Sequence, residues 1–163
     1  MMAKPTKEQI LQFLNSQFSN PEGISIDSNT MIKWSRSSLF TLQDIESNPD
    51  IPWNKEYVGL STSNSIQELI GANDEGYLVL AGARHDITID VLLANIDRPW
   101  NWCLISGNTG LPIHDLVTKF PDKINWKCIM ERPDFTQIVF DEFSGQIPLS
   151  VLIMFPSYFL NTP

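Results

Sequence analysis

Residues 99–130 read PWNWCLISGNTGLPIHDLVTKFPDKINWKCIM, and the spacing inside this stretch decides the fold. Asn101-Trp102 returns as Asn125-Trp126, 24 residues later. Working outward, Pro99-Trp100-Asn101 is itself a copy of Pro52-Trp53-Asn54, 47 residues earlier, an interval that divides into 23 plus 24. In that register one column runs Trp34, Val58, Ala81, Ile105, Ile129, and another runs Ile45, Leu69, Leu92, Leu116, Phe140; both are apolar throughout. A third, Leu42, Ile66, Ile89, Ile113, stays aliphatic until Gln137, and a fourth, Lys33, Tyr57, Leu80, Leu104, Cys128, is polar only in its first member. A period of this length marks a repeat architecture. One unit is too small to bury its own apolar face and must share a core with stacked copies of itself.

Within a unit the spacing is helical. Ile113, Leu116, Val117 and Phe120 fall at i, i+3, i+4 and i+7, as do Ile89, Leu92, Leu93 and Ile96 one unit earlier, which predicts one buried stripe per unit. The segment before each stripe, such as 102–106 or 126–131, has room for one or two turns of α or 3₁₀ helix. Asp86 and Thr88, Thr109 and Asp134 are expected to cap the longer helices, while Asn48-Pro49-Asp50, Arg98-Pro99 and Phe120-Pro121-Asp122 end them. Two short apolar runs, 77–81 and 147–155, fit a strand as well as a helix by periodicity alone.

The expected organisation is all-α: a single domain over 1–163, built as a short α-solenoid of about five and a half helix-turn-helix units. Residues 6–31 form a helical amino-terminal cap, with Ile10, Leu11, Leu14 and Phe18 on one face and Thr6 with Gln9 as a capping box. The repeats occupy 32–143. Residues 144–163 form a partial repeat and carboxy-terminal cap, Leu152 and Ile153 standing in the sixth unit.

The stretch 108–116 followed by Phe120-Pro121-Asp122 and Asn125-Trp126, with 86–93 followed by Asp97 and residues 99–102, resembles two families of short α-helical tandem repeats. One is the leucine-rich repeat variant, whose units alternate a short and a longer helix; the other is the tryptophan-containing repeat of large DNA viruses. The likeness spans about residues 32–140 and implies an architecture, not a ligand. It weakens around Gly76 and Gly82 and in the unit containing Gln137.

Composition narrows the functional classes. With 42% hydrophobic residues and a formal net charge of −8, the chain repels phosphate backbones and anionic lipid, which argues against direct nucleic-acid binding. Residues 32–76 hold seven acids against three bases, and residues 77–134 seven against six. The amino terminus lacks the basic-then-apolar run of a secretion signal, and the longest apolar run falls far short of the roughly 20 residues a membrane span needs. The two cysteines, Cys103 and Cys128, lack metal-ligand spacing and are expected as buried thiols in a reduced cytoplasm.

Candidate chemistry is sparse. His85 lies in a turn and His114 on the polar side of its stripe; both are expected as solvated residues. The glycines of Gly107-Asn108-Thr109-Gly110 lack the lysine of a phosphate loop, and no serine sits in a hydrolase elbow. No cofactor, metal site or catalytic set is expected, and the chain is read as a non-catalytic protein–protein interaction module. Trp34, Trp102 and Trp126 are expected in the core. Trp53 and Trp100, each following proline at a unit junction, are the aromatic candidates for partner contact, with core packing as the competing reading. Asp44, Glu46, Asp50, Glu56, Glu68, Asp74 and Glu75 would share one negative face, with Asp50, Glu56 and Asp74 as the acidic candidates for a basic protein partner. Lys119, Lys123, Lys127 and Arg132 form the one basic cluster. Two alternatives stay open: a stoichiometric inhibitor or immunity protein that binds a basic partner, acting as a nucleic-acid mimic, and an enzyme with a scattered site, which substitution of His114 would test.

Overall fold

The computed structural model describes residues 4–19, 25–72 and 74–160. Among these every regular element is helical and no strand occurs. The α-helices are α1 (Lys7–Ser19), α2 (Ser28–Ser35), α3 (Leu42–Glu46), α4 (Lys55–Val58), α5 (Ile66–Gly71), α6 (Ile89–Ala94), α7 (Trp102–Gly107), α8 (Ile113–Lys119), α9 (Trp126–Met130), α10 (Gln137–Phe143), α11 (Leu149–Leu152) and α12 (Ser157–Leu160). Neither ambiguous apolar run forms a strand: the first overlaps a 3₁₀ turn, Glu75–Leu78, and the second contains α11. None of the helices is long and apolar enough to cross a membrane. Contacts gather the chain into two compact units, Met1–Ala81 and Gly82–Pro163, so the division falls inside the third repeat.

Repeat-equivalent residues do the same local work. Asn54, Asn101 and Asn125 each cap a short helix, their side-chain oxygens accepting from the backbone N–H of Tyr57 at 3.3 Å, Cys103 at 3.1 Å and Cys128 at 3.2 Å. The longer helices α3 and α5 open with capping boxes, Thr41 with Asp44 and Ser65 with Glu68, and Thr88 caps α6 through the Val91 N–H. Asp86, Thr109 and Asp134 do not serve as the expected caps. Pro112 and Thr136 stand at the N-cap positions of α8 and α10 and make no side-chain cap bond, while Asp86 and Asp134 are held by Arg84 and Arg132.

In the first compact unit α1 packs through one apolar face. Thr6 and Gln9 exchange hydrogen bonds, and Leu14 packs with Met31 and Ile51, flanked by Ile10, Leu11 and Phe18. Helix α2 begins at Ser28, within the span 6–31 that the sequence reads as the cap. Ser35, Gly59, Gly82 and Ser106 occupy one column of the register, which Met130 continues. A β-carbon on Gly59 would stand 2.0 Å from the Tyr77 carbonyl oxygen, and Ser35 Oγ accepts the Asn54 N–H at 2.8 Å. In the second compact unit a β-carbon on Gly82 would come 2.8 Å from Ile105 Cγ1, and Ser106 Oγ accepts the Asn125 N–H, again at 2.8 Å.

A buried polar column accompanies the apolar ones. Ser61 donates to the Ser37 carbonyl at 3.0 Å, Asn108 to those of Gly82 and Arg84, and Arg132 to those of Ser106 and Leu111. Each side chain therefore satisfies carbonyls of the preceding repeat that would otherwise be left unpaired in the interior. Val58, Ala81, Ile105 and Ile129 are fully buried, as are Leu69, Leu92 and Leu116; each such leucine contributes about 1.5–3 kcal/mol by leaving water. Leu93 departs from its expected stripe and is 43% exposed. Its column reads Glu46, Ile70, Leu93, Val117, Asp141, which marks it as the border of the buried face.

The two cysteines are not buried thiols. Cys103 on α7 and Cys128 on α9 form a disulfide with their Cα atoms 5.8 Å apart, Cys103 exposed and Cys128 half-buried. Disulfides persist in oxidising surroundings, so cysteine usage no longer argues for a reduced cytoplasm.

Candidate partner-binding site

The proline of Pro52-Trp53-Asn54 leads the chain into a tight turn in which the Trp53 N–H meets the Ile51 carbonyl at 2.7 Å. The indole N–H then donates to the Asn48 carbonyl at 3.1 Å, and the ring packs on Phe40 with centroids 5.2 Å apart. Asn48 in turn donates its amide to the Asp44 carbonyl, so the tryptophan is held against the end of α3. It remains half-buried.

Trp53 borders a groove of about 500 Å³ whose other walls include Glu46, Pro49, Lys55, Asp74 and Tyr77. Lys55 pairs with Asp74 across it. The Lys55 ammonium holds the Asp74 carboxyl below its ordinary range, helped by the Gly76 N–H. Tyr77 is buried, and burial, reinforced by the charges of Glu46 and Asp74, pushes its hydroxyl up to about 12. The groove thus joins a rigid aromatic wall, a neutral phenol and two carboxylates, one of them already paired with a cation. That set suits recognition of a basic or amphipathic surface better than proton transfer.

Trp100 makes the same turn 47 positions later, its indole N–H donating to the Asn95 carbonyl at 2.8 Å, but it is buried and forms no exposed edge. Asp50 and Glu56 are exposed and do not line the groove. Other acids of the anticipated face have local duties. Asp44 closes a capping box and pairs with Lys7 at 2.9 Å. Glu68 closes the box on Ser65, whose N–H and hydroxyl lower its pKa. Sequence reasoning missed Glu46, Lys55 and Tyr77 as groove walls; their common signal is proximity in register to Trp53.

The basic cluster does not assemble. Lys119 pairs with Asp115 and Lys127 with Glu131, while the Arg132 guanidinium is buried on backbone carbonyls. Both histidines are exposed, His114 standing 3.5 Å from Glu142. Among the described residues no group of three His, Cys, Asp or Glu side chains could hold a metal ion. A second groove, about 420 Å³, lies beside the disulfide and is bounded by His85, Asn108, Glu131 and Arg132; its buried polar groups, Asn108 and Arg132, are engaged with backbone carbonyls. No family model, curated protein or solved structure matches the chain.

Proposed function

We propose that the chain is a short α-solenoid that acts as a non-catalytic protein-interaction module and engages its partner at the Trp53 groove. The observation that carries this reading is the groove's composition: a half-buried tryptophan fixed by its own hydrogen bond, beside Glu46 and the Lys55–Asp74 pair. Fixed aromatic rings lose little entropy on binding and are enriched among the residues that dominate interface energies. Asp50 and Glu56, exposed near the groove in sequence, would steer a basic surface toward it.

The test uses the full chain, immobilised and challenged with native cell extract, beside a Trp53→Ala/Glu46→Lys variant. A partner retained by the wild-type chain should be identified, purified and titrated. The variant is expected to bind it at least ten-fold more weakly, as loss of a central aromatic commonly costs more than about 1.4 kcal/mol. Equal affinity of the two chains for the purified partner would refute the groove as the contact.

The acidic first half also supports the inhibitor or immunity-protein reading, in which the same groove occupies a basic partner. Its mark is kinetic. Reversing Asp50, Glu56 and Asp74 to lysine should slow association and flatten its dependence on ionic strength, since exposed charges act mainly on encounter; an unchanged rate and slope would remove the steering role.

A further inference from the structure

The helix pair α7 and α9 repeats the arrangement of α2 and α4 in the first compact unit. In each pair a serine of the earlier helix accepts the backbone N–H of the asparagine that caps the later one, Ser35 from Asn54 and Ser106 from Asn125, both at 2.8 Å. Where the register places Ile32 and Tyr57 in the first pair, it places Cys103 and Cys128 in the second. Helices of this kind therefore pack one on the next with no covalent bond between them. Around the disulfide that packing is also well furnished: Ile105 and Ile129 are fully buried, and Arg132 donates to the carbonyls of Ser106 and Leu111 at 3.4 and 2.8 Å. The cross-link adds stability, but the contact it spans is made by other groups, so opening it leaves the fold standing.

Access to the two sulfurs is uneven. Cys103 is exposed and Cys128 half-buried, and both line the groove of about 420 Å³ whose walls also carry the exposed His85, Thr109 and Glu131. The cations nearest to Cys128 in sequence, Lys127 and Arg132, are each paired with a carboxylate, Glu131 and Asp134, which leaves access to choose between the sulfurs. Thiol–disulfide exchange depends on which sulfur the incoming thiolate can reach, and buried cysteines are the inert ones. A groove of this volume falls in the range that holds small molecules. From these observations we infer that Cys103 is a reversible S-thiolation site for a small peptide thiol. The incoming thiolate bonds to the Cys103 sulfur, the Cys103–Cys128 bond breaks, and Cys128 leaves with the electron pair as a thiolate that takes a proton from water. The peptide thiol is oxidised as the internal disulfide is reduced, and return attack by the Cys128 thiolate on Cys103 reverses the step. The inference is independent of the Trp53 groove.

Glutathione is the probe. The oxidised full chain is incubated with excess reduced glutathione, trapped at short times with N-ethylmaleimide and mapped by mass spectrometry, with circular dichroism of the reduced chain as the check on folding. Glutathione is expected on Cys103 and maleimide on Cys128, with the helical spectrum unchanged. Two single variants separate access from leaving-group effects: with oxidised glutathione, Cys103 in Cys128→Ser should form its mixed disulfide roughly ten-fold faster or more than Cys128 in Cys103→Ser. Glutathione found chiefly on Cys128, equal rates in the two variants, or a disulfide that opens only in urea would each overturn the inference. So would loss of the helical spectrum on reduction, or a wild-type chain whose two thiols stay free after treatment with oxidised glutathione.

Discussion

Gly59 is where the repeat is least tolerant, because a single methyl group added there would enter the Tyr77 carbonyl, whose oxygen lies 2.0 Å from the ideal β-carbon position. The oxygen belongs to backbone and cannot swing aside. Gly59→Ala should therefore lower stability by about 2 kcal/mol or more, at the upper end of overpacking costs. Gly71, the last residue of α5, has nothing within 4 Å of its β-carbon position, and Gly71→Ala should be neutral or raise stability by up to about 1 kcal/mol through the unfolded chain. Urea unfolding of the two variants checks the contrast; equal effects would mean that the repeats do not approach at Gly59. The column that contains Gly59 reads Ser35, Gly59, Gly82, Ser106, Met130 and does not stand out in the sequence, because small residues are equally at home in turns and only the distance to a neighbouring carbonyl tells packing from flexibility.

Elements are held by a bond that spans repeats and by ion pairs local to one turn, and both are open to direct test. The Cys103–Cys128 disulfide joins α7 to α9 across 25 positions, a loop whose closure entropy corresponds to about 3 kcal/mol. Replacing both cysteines by serine should lower the melting temperature by several degrees, and a reducing agent should shift the wild-type chain similarly while leaving the variant unmoved. The second bond is ionic. Arg84 and Arg132 hold Asp86 and Asp134 below the ordinary carboxyl value of 3.8, each chiefly by side-chain hydrogen bonding. The unfolded chain then binds more protons than the folded one in acid, so this stabilisation is complete above about pH 4 and is lost as pH falls through the depressed folded values. Asp134→Asn should flatten the acid limb of the stability curve and leave its slope at neutral pH unchanged. Sequence spacing could not separate an aspartate that caps the following helix from one that grips an arginine two residues before it. Nor could it foresee the disulfide, since Cys103 and Cys128 occupy adjoining columns whose separation is a property of the packed repeats.

At the scale of the molecule, the features legible in advance were those that recur: the apolar columns and the repeated Pro-Trp-Asn and Asn-Trp pairs, whereas the capping role of their asparagines was not read from the sequence. Trp53 and Trp100 make identical turns, and their different exposure depends on what surrounds each one, which no periodicity carries. The acidic first half likewise looked like one surface, whereas Asp44 and Glu68 are spent on capping boxes. The proposed solenoid rests on one structural claim, that a helix-turn-helix unit of about two dozen residues recurs in a fixed register. The measurement closest to that claim is the urea unfolding free energy of Leu69→Ala, Leu92→Ala and Leu116→Ala, three fully buried members of one column. Equivalent residues in equivalent surroundings should each lose about 2–5 kcal/mol. Losses below about 0.5 kcal/mol at these positions, far under the cost of a buried leucine, would contradict the register.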